Sequence, residues 1–302
     1  MRRYGVVNPV PKSGDRSIGM AAQISLGGIE VKRSLCTSGF KDWDVEQILE
    51  WAAPFGLDGV ELWMGHIERY QEERGPLDKL REKLRRYGLE VPAVSGYTTF
   101  SGGFSGEKDL KQDFKSMNHL LDVARQLGCP FIRTFLGHVS SRCTSPEQWG
   151  QVVSVMKNVM RMADQYEVNI AIEVHYDTFV DNTESARMLL QAVNHPRLRL
   201  VFDGANLHVE QIDQMEALPV LYPWLSHVHI KNYNWDHANR YKSVPVSILN
   251  GDIDNKALIQ ELERRHYSGY VSLEYFGEMK ELNITRSLQE WNELRDAGFP
   301  AS

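Results

Sequence analysis

Ile170-Ala171-Ile172-Glu173, Leu200-Val201-Phe202-Asp203, His227-Val228-His229 and Val271-Ser272-Leu273-Glu274 are short apolar runs, each closed by a polar side chain. Runs of Val, Ile and Leu without polar alternation are the pattern of strands covered on both faces, as parallel strands are. A carboxylate at the end of such a strand is costly to bury unless a cation or several hydrogen bonds meet it. Glu173, Asp203, His229 and Glu274, at four successive strand ends, therefore predict a cation site. The donor set is oxygen-rich with one nitrogen, which suits Mn²⁺, or Mg²⁺ or Co²⁺, better than structural zinc, which favours Cys and His.

Working outward, the same unit recurs eight times. Strands are predicted at Lys32 to Thr37, Gly59 to Trp63, Val91 to Tyr97, Phe131 to Leu136, Asn169 to His175, Leu198 to Asp203, Ser226 to Lys231 and Tyr270 to Tyr275. Amphipathic stretches lie between them. Asp44 to Ala53 sets Val45, Ile48, Leu49 and Ala52 on one stripe, and 114–127, 152–166, 183–193, 256–266 and 287–297 follow the same period. Gly56, Gly88, Gly128 and Gly269 mark helix ends. Eight strand–helix units predict a (β/α)8 barrel over residues 31–302, preceded by an N-terminal arm or tail at 1–30. An open dinucleotide-binding sheet is disfavoured, because Gly27-Gly28 lacks the glycine spacing of that fold.

A formal net charge of −6, with no basic stripe beyond the helix around Lys83, Arg85 and Arg86, argues against nucleic acid as a partner. No stretch has the length and apolarity of a membrane span, and no secretory leader follows Met1. Cys36, Cys129 and Cys143 show no metal-like spacing, and a reducing cytoplasm is the expected setting.

Active sites of such barrels lie at the C-terminal strand ends. His227 and His229 share a face, and His229, nearer the tip, is the expected ligand. Substrate contacts are expected from Glu61, Arg133, His175, Asn206, Lys231, Trp235 and Arg240, and His138 at the strand-four exit is a candidate general acid or base. Arg133 also qualifies as a partner of a buried carboxylate, and Asn206 as a helix cap. The glycines of 100–106 are read as a loop over the site. The long connection 232–251, with Tyr233, Trp235 and Tyr241, suits a sugar-sized pocket or contact with a second copy or a partner subunit.

The segment from Ile172 through Asn206, the run Ser226-His227-Val228-His229-Ile230-Lys231, and Gly251-Asp252-Ile253-Asp254 leading to Glu274 resemble the xylose isomerase-like TIM barrel family, the sugar phosphate isomerase/epimerase superfamily. The likeness runs over residues 32–298. It implies one divalent ion held by Glu173, Asp203, His229 and Glu274, with Glu173 and Glu274 also serving as the acid/base pair. Two positions depart from its ketose 3-epimerases: Asn206 stands where they carry a substrate-binding His, and Trp235 where they carry an Arg. The DNA-repair endonucleases of the same fold need further His and Asp ligands that this chain lacks.

The expected activity is a metal-dependent isomerase or epimerase on a keto sugar or polyol, removing the proton α to a carbonyl through a metal-stabilised enediolate. The alternative is a lyase of the same fold. That would be a dehydratase of inosose or dehydroshikimate type, or a deglycosidase cleaving a C-glycoside of a 3-oxo sugar. A third reading is a non-catalytic, metal-stabilised assembly subunit.

Overall fold

The computed structural model describes residues 31–98, 100 and 110–297. The expected arm at 1–30 and nearly all of the 100–106 loop lie outside the described residues. Strands β1 (Lys32–Cys36), β2 (Gly59–Trp63), β3 (Val94–Ser95), β4 (Phe131–Thr134), β5 (Asn169–Glu173), β6 (Leu198–Asp203) and β7 (Leu225–Ile230) run parallel in sequence order. A small antiparallel hairpin, β8 (Asn232–Asn234) with β9 (Val244–Val246), leaves the barrel after β7. Strand β10 (Tyr270–Leu273) then pairs with β7 on one side and β1 on the other, which closes the eight-stranded barrel.

The surrounding helices are α1 (Val45–Ala52), α2 (Met64–Arg74), α3 (Leu77–Arg86), α4 (Leu110–Leu127), α5 (Pro146–Tyr166), α6 (Thr183–Val193), α7 (Gly204–Val209), α8 (Gln214–Leu221), α9 (Asn255–Arg264) and α10 (Lys280–Asp296). Their starts are written locally. Asp44 with Gln47, Ser145 with Gln148 and Asn182 with Ser185 form reciprocal caps that satisfy the free amides of α1, α5 and α6.

Strand residues two apart share a face, and here that rule builds the barrel interior in layers. Phe131, Ala171 and Val201 form a small apolar cluster with Ala93, separate from the main core, and the His227 ring meets Phe131 edge-on at 5.5 Å. Two residues further along the same strands come Arg133, Glu173, Asp203 and His229. The sequence thus places an apolar floor below and a charged layer above it. The outward residues, such as Ile132, Ile172, Leu200 and Val228, pack against the helices in the main core.

Several predicted bounds shift. Strand β3 is two residues long, because Pro92 removes a ladder donor in the run that precedes it. Strand β10 ends at Leu273, so Glu274 stands one residue beyond it, its amide still donating to Ile230 O at 3.1 Å. Helix α10 begins at Lys280 rather than Ser287, and α5 at Pro146 rather than Val152.

Candidate metal centre

Glu173, Asp203, His229 and Glu274 come together at the top of the barrel, all buried, with one ligand atom from each lying within 4.8 Å of every other. Two donors on opposite sides of an ion bound at about 2.0–2.2 Å stand roughly 4–4.4 Å apart, so small adjustments close this set around one ion. Register explains the convergence: Asp203 pairs directly with His229 across β6 and β7, and Ser272 with His229 across β10 and β7.

The orientation of His229 decides how the site fits a cation. Its Nε2 donates to Glu61 Oε2 at 2.8 Å. Its Nδ1 is buried without a hydrogen-bond partner and lies 3.4 Å from Glu173, 3.5 Å from Glu274 and 3.9 Å from Asp203. A ring nitrogen facing three carboxylates needs a proton or a metal ion between them. Although burial opposes charge, Glu61 and Glu274 hold the His229 pKa well above that of an ordinary imidazole. Without metal, a proton fills that role.

Two buried cations share the layer. Arg133 donates to Glu173 Oε2 from Nε at 2.8 Å and from Nη2 at 2.5 Å, and to Glu274 Oε1 at 3.0 Å. Lys231 Nζ bridges Asp203 Oδ2 at 2.7 Å and Glu274 Oε2 at 2.6 Å. Against the cost of burial, these partners push the pKa of both cations well above the usual values. Burial would raise the Glu173 carboxyl, yet Arg133 and His229 bring it down to about 2, and Lys231, His229 and Arg133 hold Glu274 well below the carboxylate range. For Asp203 burial wins, and its pKa is raised. Counting Glu61, four carboxylates face two permanent cations, and a divalent ion would match the two-charge excess.

Glu61 needs correction as a substrate contact. It is fully buried behind the histidines, accepting from His229 and, at 3.0 Å, from His227, with Ser95 donating to its other oxygen. Its place is that of a group orienting His229. Burial lowers the His227 pKa, in keeping with a neutral, hydrogen-bonded neighbour. Asn206 is not the helix cap: Asp203 caps α7, its Oδ1 accepting from the Asn206 backbone N–H at 2.9 Å, while Asn206 Nδ2 donates to Glu173 Oε1 at 3.1 Å.

Above the charged layer opens a cavity of about 230 Å³. Arg133, His175, Asn206, Lys231, Trp235, Arg240 and Glu274 line it, so six of the seven expected substrate contacts converge there. Tyr97, Phe135, Tyr176, Tyr233 and Phe276 complete aromatic walls that the sequence left unassigned except for Tyr233. Arg240 is tied to the loop after β5, donating to Asp177 at 2.7 Å and lying 4.7 Å from the centroid of the Tyr176 ring. His138 is corrected: it is exposed and is not in the cavity wall. Gly137 sits at φ +69° with the Phe179 ring in the space a Cβ there would need, and the His138 ring packs edge-on to Phe135 at 5.9 Å. His175 is the imidazole that lines the cavity. It stacks on Phe135 at 5.3 Å and donates from Nδ1 to Tyr176 O at 2.8 Å, which leaves Nε2 as the basic nitrogen.

A family model described as xylose isomerase-like TIM barrel matches residues 49–294. The chain belongs to this family. Among its relatives, the 3-dehydroshikimate dehydratase of Bacillus anthracis is 26% identical over 262 residues, covering 82% of this chain and 91% of the relative. The fructoselysine 3-epimerase of Escherichia coli O157:H7 is 21% identical over 255 residues, covering 81% and 90%. Two solved structures share the xylose isomerase-like barrel. The probable 3-DHS dehydratase of Bacillus anthracis has a TM-score of 0.78 at 23% identity, covering 87% of this chain and 99% of that one. A protein called IOLI, with a binding zinc atom, has a TM-score of 0.74 at 19% identity, covering 90% and 100%. The named relatives thus include dehydratases, epimerases and an isomerase.

Proposed function

We propose that this chain is a divalent-metal-dependent lyase acting on a small polyhydroxylated ketone. It would remove the proton α to the carbonyl and expel the β-hydroxyl as water. The observation that carries the metal part is the partnerless Nδ1 of His229, held by Glu61 so that it faces three carboxylates. Glu173, Asp203, His229 and Glu274 would hold the ion, with Mn²⁺ preferred. Bound there, it would supply Lewis acidity at the substrate carbonyl.

Every other role falls to the chain itself. His175 Nε2, on the cavity wall, takes the α-proton. Lys231, kept protonated by Asp203 and Glu274, donates to the departing hydroxyl, so that proton abstraction and water loss balance without any other reagent. Arg133, in the same layer, holds Glu173 and Glu274 in place. The aromatic walls bound a space sized for one ring.

Elimination is preferred over epimerisation because of Glu173. Two-faced proton transfer between Glu173 and Glu274 needs both carboxylates open to substrate. Both carboxylates are fully hydrogen-bonded, Glu173 by Asn206 and Arg133 and Glu274 by Arg133 and Lys231, but of the two only Glu274 lines the cavity. The dehydratase relative supports the same choice. The isomerase or epimerase reading keeps one favourable observation, Glu274 in the wall, positioned to return a proton.

The test is incubation of Mn²⁺-loaded protein with keto-polyols in D₂O, followed by mass spectrometry and NMR. Loss of one water supports the lyase. Deuterium incorporation into an isomeric or epimeric product of unchanged formula supports the isomerase. No product and no exchange across the panel would overturn both.

A further inference from the structure

Four tyrosines line the catalytic cavity, Tyr97, Tyr176, Tyr233 and Tyr241, and their hydroxyls fall into two pairs. Tyr97 donates to Ser38 Oγ at 3.2 Å and accepts from Arg133 Nη1 at 3.4 Å, and the Tyr241 hydroxyl accepts from Arg240 Nη2 at 3.2 Å. The Tyr176 and Tyr233 hydroxyls have no hydrogen-bond partner among the described residues. Both side chains are half-buried, and neither hydroxyl is sealed off from solvent.

The two rings are held in place. The Tyr233 N–H donates to Asn232 Oδ1 at 2.9 Å, its carbonyl accepts from Asp252 N at 2.9 Å, and its ring lies 5.1 Å from that of Trp235. The Tyr176 ring lies 4.4 Å from that of His175, its carbonyl accepts from His175 Nδ1 at 2.8 Å, and the Arg240 guanidinium covers its face at 4.7 Å. Burial raises the pKa of both phenols against the opposing charge of Lys231, so each stays protonated at neutral pH. Because Lys231 acts on both, the two hydroxyls border the same part of the cavity as its ammonium. A fixed, protonated hydroxyl in a cavity wall with no protein partner is a donor placed for an acceptor on a ligand.

We infer that Tyr176 and Tyr233 are the specificity-determining pair of the catalytic cavity, each donating to an oxygen that the substrate ring carries near Lys231. The ligand class that fits is a ring with hydroxyls at two positions there. A deoxygenated ring of the same size would strip water from both phenols and return no acceptor, so it is refused. That this ring is the reacting ketone rests on the lyase reading above. The recognition itself can be measured without turnover.

The probes are myo-inositol and, as a ring of the same size with a single hydroxyl, cyclohexanol. They are added to ¹³Cζ-tyrosine-labelled protein loaded with Mg²⁺, a diamagnetic ion. Tyr176→Phe and Tyr233→Phe assign the two signals and keep the ring packing. Myo-inositol is expected to shift both signals saturably, and cyclohexanol neither. Each Phe variant should bind myo-inositol about three- to tenfold more weakly, the value of one neutral hydrogen bond. Mg²⁺ affinity should stay unchanged, whereas a merely structural role would disturb the ion site as well. Signals that stay fixed at every inositol concentration, or variants that bind it as tightly as wild type, would overturn the pair. The D₂O assay separates the two ideas. Shifts of both signals in a protein that neither expels water nor exchanges refute the lyase reading alone, and water loss at the wild-type rate in both Phe variants refutes the pair alone.

Discussion

Replacing Glu61 by Gln tests whether a carboxylate that touches neither substrate nor ion sets the strength of the metal centre. The side chain is fully buried, so the near-isosteric amide preserves the packing and removes the charge opposite His229. In the native protein Glu61 Oε2 accepts from His229 at 2.8 Å and from His227 at 3.0 Å. A hydrogen bond to a charged acceptor contributes about 1.5–3 kcal/mol against about 0.5–1.5 for a neutral one. The amide also presents an NH₂ group where one histidine needs an acceptor. The difference, about 1–1.5 kcal/mol for the bond to His229, predicts a loss of roughly five- to tenfold in Mn²⁺ affinity, at the lower edge of what such outer partners typically contribute.

The pH dependence sharpens this test. Glu61 helps hold the proton on His229, so its loss lowers the His229 pKa and relieves proton competition. The deficit should be largest at alkaline pH and should shrink on acidification. The assay is calorimetric Mn²⁺ titration of wild type and variant across pH, with circular dichroism confirming a folded barrel. An affinity within about twofold of wild type at alkaline pH would refute the orienting role.

His175→Asn should lower turnover by about 10²–10⁴-fold while leaving Mn²⁺ affinity nearly unchanged, which paired kinetics and calorimetry would read. Lys231→Met removes the cation bridging Asp203 and Glu274, and the metal-free protein should lose about 3–5 kcal/mol in urea unfolding, part of it regained on adding Mn²⁺. The Glu173 carboxyl, brought from 4.5 to about 2, contributes stability that is present above pH 4.5 and is lost as pH falls toward 2. Acid unfolding of Glu173→Gln should therefore depend less on pH across that window than wild type.

The eight apolar runs made the barrel legible, because strands covered on both faces cannot hide their composition. The charged layer followed from a period of two along those strands. What the sequence concealed depends on contacts across the barrel. Glu61 reaches His229 from β2 to β7, a pairing with no local signature. Helix α2 was missed because it starts straight after β2 with Trp63 at its cap and no capping side chain. The hairpin of β8 and β9 was read as loop because Pro245 punctuates it, although an edge strand tolerates proline. His138 and His175 both follow strand ends, and only the fold shows that His175 lines the cavity while His138 is exposed.

Stoichiometric Mn²⁺ titration of the chelator-treated protein bears most directly on the charged layer at the top of the barrel. One ion per chain is expected, with proton release that grows below the raised His229 pKa, and with binding abolished in Asp203→Asn and His229→Ala. A folded protein that takes up no divalent ion, or that binds it equally well in both variants, would contradict the metal centre.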